Sequence, residues 1–144
     1  MGLSTDLFFV AGLRSSNAVL KAVDGRIFNT ARSTEDERKD RVPYIIVSFE
    51  GLSNDSETKD DGVEGCEDKV TVSLLVVAKT RVLLAELAQA VRDAMRAFFV
   101  EVDVNDDAYQ YAPKDWEFSA GPVQYDWAKP CYFQTLTYVC ETDD

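Results

Sequence analysis

The stretch Val70-Thr-Val-Ser-Leu-Leu-Val-Val-Ala78 decides the fold, together with the segment that follows it. Its even-numbered residues are all apolar, and a period of two is the period of a β-strand with a buried face. The opposite face begins with Thr71 and Ser73 and continues with Leu75 and Val77. We therefore predict a central strand with one face buried throughout and the other buried only in its second half.

Residues 81–100 predict a long amphipathic helix that lies on the sheet containing this strand. Thr80 is suited to cap the helix, because its hydroxyl can accept a hydrogen bond from an early helical N–H. The apolar residues recur at helical spacing and form one stripe: Leu84, Leu87, Ala88, Val91, Ala94, Met95, Phe98 and Phe99. Polar residues are expected on the opposite, solvent-facing side: Glu86, Gln89, Asp93 and Arg96.

The rest of the chain supplies a short N-terminal helix and further strands. The helix runs to about Arg14, and extended segments are predicted at residues 26–30, 44–49, 116–127 and 131–141, the third interrupted at Gly121-Pro122. The order α-β-β-β-α-β-β predicts one α+β domain over residues 1–144. Its architecture is a two-layer sandwich, a mainly antiparallel sheet with two helices packed on one face. Ala31–Arg41 and Ser53–Asp68 are predicted as charged loops, and Asp103–Lys114 as a polar connection.

Composition argues against several classes of function. The net charge is −11, which disfavours direct, sequence-specific nucleic-acid binding and adsorption to anionic membranes. The chain has no histidine, so the commonest general base and the usual zinc ligand are missing. Cys131 and Cys140 are predicted to be buried free thiols on opposite faces of one strand. We predict no enzyme activity, no cofactor, and no catalytic or metal-binding residue.

Candidate contact residues come from apolar and aromatic side chains. The first helix is apolar nearly all round, which predicts burial on more than one side. Either Phe8 or Phe9 meets another subunit, or segment 17–23 folds back and covers the helix. Tryptophan and tyrosine suit both sheet packing and interface anchoring. The candidate interface residues are Phe8, Phe9, Leu13, Trp116, Trp127 and Tyr132.

The layout resembles the small tail terminator, or tail completion, proteins of long-tailed bacteriophages and prophages. The resemblance is carried by the capped helix Leu3–Arg14, by Gly25-Arg-Ile-Phe-Asn29 and Pro43-Tyr-Ile-Ile-Val47, and by the later strand–helix unit with its closing strands. It implies a structural protein that forms a ring, often a hexamer, which caps the tail tube and presents a surface for head joining. Its partners would be other copies, the tail tube and head-completion proteins. It would be cytoplasmic during assembly and then part of the virion tail.

Three alternatives stay open at this point. A head–tail connector or neck protein would occupy a different joint of the same particle. A small binding module of cellular origin would use an aromatic pocket near Trp116 and Trp127. An enzyme with a carboxylate-bound metal would need acidic residues brought together by the fold.

Overall fold

Three helices and six strands lie within the residues that the structure describes, and most of their bounds follow the sequence pattern. The structure, a computed structural model, describes residues 5–29, 42–54, 68–104 and 115–142. The helices are α1 (Thr5–Arg14), α2 (Asn17–Val23) and α3 (Arg81–Val104). The strands are β1 (Ile27–Asn29), β2 (Tyr44–Asn54), β3 (Asp68–Ala78), β4 (Asp115–Ala120), β5 (Gln124–Asp126) and β6 (Cys131–Thr142).

The strands form one mixed sheet in the order β1-β2-β3-β6-β4, with β5 also paired to β6. Strand β1 runs parallel to β2, whereas the other pairings are antiparallel. The predicted α+β class and two-layer arrangement are confirmed. One detail differs from the prediction, because α2 adds a third helix to the described residues. The parallel pairing of β1 with β2 leaves the sheet mainly antiparallel, as predicted. Most of the predicted loops and the polar connection, at 30–41, 55–67 and 105–114, lie outside the described residues.

The predicted strand–helix unit forms the centre of the core. Val70, Val72, Leu74 and Val76 on the helix-facing side of β3 are completely buried. The stripe on α3 packs over them, with Leu84, Leu87, Val91, Met95, Phe98 and Phe99 buried. Thr80 caps α3 as predicted, since its Oγ1 accepts from Leu83 N at 3.1 Å.

Helix α2 turns the chain back toward the sheet after α1. Ser16 caps it by accepting a hydrogen bond from Val19 N at 3.3 Å, and Val19 and Val23 both enter the core. The helix ends at Asp24 in the left-handed conformation, followed by Gly25 with a φ of 74°. Glycine fits at position 25 because it adopts positive φ without steric cost.

Gly12 lets α1 approach α3 closely. A Cβ added at this position would lie 2.8 Å from Phe98 Cδ2 and 2.9 Å from Met95 Sδ. We expect Gly12→Val to lower the free energy of unfolding by about 1–3 kcal/mol through overpacking. Urea unfolding measures the change, and Gly51→Val is the matched control because a Cβ there meets nothing within 4 Å. Equal stability of the two variants would contradict this account of the helix contact.

Candidate assembly surfaces

Three of the six sequence-predicted interface residues lie inside the chain's own core. Phe8, Phe9 and Leu13 are at most 2% exposed. The Phe8 ring lies 4.9 Å from that of Phe98, and the Phe9 ring lies 5.0 Å from that of Tyr138. Other parts of the same chain therefore cover Phe8 and Phe9, and the contact of either residue with another subunit stays a prediction. Phe9 packs against the sheet, and Phe8 packs against the end of α3. Two sides of the apolar helix α1 are therefore covered by other parts of the same chain.

Trp116 has a packing role. It is partly buried and stacks on Phe99, with the ring centroids 4.5 Å apart and the planes 12° apart. This contact holds the outer strand β4 against α3. Since one face of the indole is already covered by Phe99, Trp116 anchors the fold, which is the sheet-packing role considered for it from the sequence.

Trp127 differs from the other candidates because 85% of its surface is exposed. It follows β5 directly, and its ring lies 4.6 Å from that of Tyr125. Tyr125 in turn lies 4.9 Å from Tyr132, which packs partly against the core. The structure thus brings Trp127 and Tyr132 together through Tyr125 and separates them from Trp116.

The turn that carries Trp127 is held by its own hydrogen bonds. Oδ1 of Asp126 accepts from Ala128 N at 3.0 Å and from Lys129 N at 3.4 Å. Such Asx turns fix the backbone locally. An exposed tryptophan on a fixed turn loses little conformational entropy on contact, which suits it to anchor a protein interface.

The sheet face opposite the helices has an apolar half. The register places the following residues on this face at one end of the sheet: Phe28, Tyr44, Ile46, Leu75, Val77 and Phe133. Towards the other end Thr71, Ser73 and Thr137 replace them, and the Ser73 hydroxyl donates to Glu50 Oε2 at 2.7 Å. Val77 is 2% exposed and Leu75 is partly buried, so the apolar second half predicted from the sequence is present.

The two cysteines among the described residues are buried and have unreactive thiols. Cys131 and Cys140 are buried and free, as predicted, and Cys66 lies outside the described residues. Burial raises the pKa of the Cys140 thiol to about 12. Burial, followed by the charge of Asp126, also raises the pKa of Cys131. Both side chains are therefore thiols at neutral pH, and the thiolate is the reactive form.

A chain of a gene transfer agent particle shares this fold. The solved structure is a "Virion of native gene transfer agent (GTA) particle". The TM-score is 0.64 at 10% sequence identity, and the match covers 94% of this chain and 92% of the other. No family model matches the sequence, and no curated protein matches it.

The described residues contain neither a cluster suited to bind a metal ion nor a helix able to cross a membrane. Residues 5–29, 42–54, 68–104 and 115–142 hold no group of three His, Cys, Asp or Glu side chains placed to bind a metal ion. Among the helices in those ranges, none is both long and apolar enough to cross a bilayer.

Two exposed residues of the surface were not singled out from the sequence. Val82 and Leu83 begin α3 and are 67% and 48% exposed. The sequence pattern could have identified them, because both are apolar although they fall outside the buried stripe of α3. They adjoin the end of β3 at Ala78, whose register partner on β6 is Tyr132. The exposed apolar side chains of α3's first turn and of the β5–β6 turn thus belong to the same end of the sheet.

Proposed function

We propose that this chain is a structural protein of a phage-like virion. The observation that carries the proposal is the fold shared with a gene transfer agent virion chain across nearly the whole length of both chains. A partial match would leave room for a different domain arrangement, whereas coverage of 94% and 92% leaves little chain unmatched. In this role the chain acts by binding other proteins, and no catalytic step is required.

Within the particle we propose a tail-terminator-like role. Copies of the chain form a ring that caps the tail tube once its length is set and then joins it to the head. The exposed Trp127 supports a protein-contact role, because tryptophan is enriched among the residues that anchor protein interfaces. The acidic balance of the chain is compatible with DNA passing through such a ring without adhering to it.

Removing the gene from the phage or prophage that encodes it tests this role. A cap that stops tube growth predicts that its loss gives tails longer than normal and heads without tails. Electron microscopy of the induced particles measures tail length and attachment, with the gene supplied in trans as the control. Mass spectrometry of purified wild-type particles should also detect the chain.

The outcomes separate the general proposal from the specific one. Absence of the chain from purified particles, together with normal particles after deletion, would contradict a virion role. Detached tails of normal length would keep the virion role but replace the terminator with a head–tail connector. Tail-tube and tape-measure genes beside this one are expected under either outcome.

A further inference from the structure

One end of the sheet combines exposed apolar side chains with positive charge. We call it the turn end and define it by Lys79, Arg81, Val82, Leu83, Trp127 and Lys129. Strand β3 leads into this end at Ala78, which pairs with Tyr132, and Tyr132 pairs with Tyr125 on β5. Arg81 lies close to β5, since it lines one groove together with Val123 and Gln134. Asp126 in the same turn accepts hydrogen bonds from two backbone N–H groups, and its negative charge offsets one of the three positive charges of Lys79, Arg81 and Lys129.

The charges at the start of α3 oppose the usual rule for helices. The positive end of the helix dipole lies at the N-terminus, so acidic residues are favoured in the first turn and basic ones are unfavourable. Helix α3 has no acidic residue in its first turn, and Arg81 is its first residue. Arg81 departs from this rule at an exposed position, with no gain for the fold. Such a departure indicates a functional role.

The other end of the sheet is acidic. We call it the acidic end and define it by Asp115, Glu117 and Glu141, where Asp115 pairs with Glu141 and Glu117 pairs with Val139. Lys69 is the register partner of Glu141, so it offsets part of this charge. Helix α3 runs toward this end over its 24 residues and has no basic residue in its last turn. The helix dipole therefore adds to the charge difference between the two ends.

Resting on the proposed function, we propose that copies of this chain associate head to tail, the turn end of one copy binding the acidic end of the next. Two chains of net charge −11 repel at long range, so a contact between the basic surface of one and the acidic surface of the other is favoured over contacts between like charges. Trp127 supplies the apolar anchor. A contact between two different patches is heterologous, and it closes into a ring when the rotation per subunit allows it.

Charge exchange between the two ends tests the contact directly. The turn-end variant carries Lys79→Glu and Arg81→Glu, and the acidic-end variant carries Asp115→Lys and Glu117→Lys. Each variant alone brings like charges together, and we expect its self-association to weaken by about tenfold or more. An equimolar mixture should associate again, because every contact in an alternating assembly is then complementary. Sedimentation velocity over a concentration series measures all four samples, wild type included.

Two further measurements distinguish a variant that fails to associate from a variant that fails to fold. Because Arg81→Glu places an acidic residue in the first turn of α3, the turn-end variant should not melt below the wild type. Trp127→Ala should weaken association by about 30-fold or more, as expected for a hot-spot aromatic, whereas Trp127→Phe should retain most of it. Thermal melts of all variants verify that they are folded.

The association experiments decide the head-to-tail contact, and they do so independently of the test of the virion role. A wild-type chain that stays monomeric at every concentration overturns the head-to-tail contact. Variants that associate alone as well as the wild type overturn it too, and place the contact elsewhere. In both cases the gene-deletion phenotype still decides the virion role separately. Restored association in the mixture, with loss in each variant alone, supports the head-to-tail contact.

Discussion

The Val91→Asp variant is expected to lose its cooperative unfolding transition. Val91 is completely buried at the centre of the α3 stripe, between the helix and the sheet. A carboxylate there would be an unpaired buried charge, which costs several kcal/mol. Small domains are stable by only about 5–15 kcal/mol, so this one substitution removes a large part of the total or all of it. Circular dichroism during urea titration measures the transition.

Val100→Asp is the matched control for this substitution. It makes the same chemical change on the same helix, but Val100 is 61% exposed. Surface substitutions usually change stability by no more than about 0.5 kcal/mol, so this variant should unfold like the wild type. A folded Val91→Asp protein would contradict the placement of α3 on the sheet.

The second large effect is expected for Phe9→Ala. Phe9 is completely buried, and its ring lies 5.0 Å from Tyr138 and 5.9 Å from Phe99. Truncating a buried phenylalanine to alanine costs about 3–5 kcal/mol, from lost burial and from the cavity left behind. Because the side chain serves the core, the folded fraction of this variant should associate as the wild type does.

An aromatic residue elsewhere provides the comparison. Trp127→Ala removes an even larger side chain, yet its free energy of unfolding should stay within about 0.5 kcal/mol of the wild type because Trp127 is exposed. The two variants should therefore have opposite profiles in unfolding and in association experiments. If Phe9→Ala were as stable as the wild type and failed to associate, Phe9 would belong to an interface after all.

The site was harder to predict than the fold, and Phe9 and Trp127 show why. Both are aromatic residues, and an aromatic side chain suits a core as well as an interface. Phe9 is buried because α1 packs beside α3 on the sheet, where its ring meets Phe99 and Tyr138, two residues far from it in the chain. Trp127 is exposed because its turn projects beyond the last pairing of β5 with β6. Segment 17–23 was likewise too short for its periodicity alone to establish a helix.

The sequence by itself determined the α+β class, the central strand, the start and buried stripe of the long helix, and the half-apolar second face of the sheet. These follow from periodicity, since a repeat of two or 3.6 residues dictates which side chains share a face. The helix ends at Val104, four residues after its predicted end. Only the tertiary structure decided which aromatic residues form the core and which face solvent. It also gathered Trp127, Arg81 and Lys79 at one end and Asp115 and Glu117 at the other. Such groupings depend on strand order and register, which periodicity within a single segment does not contain.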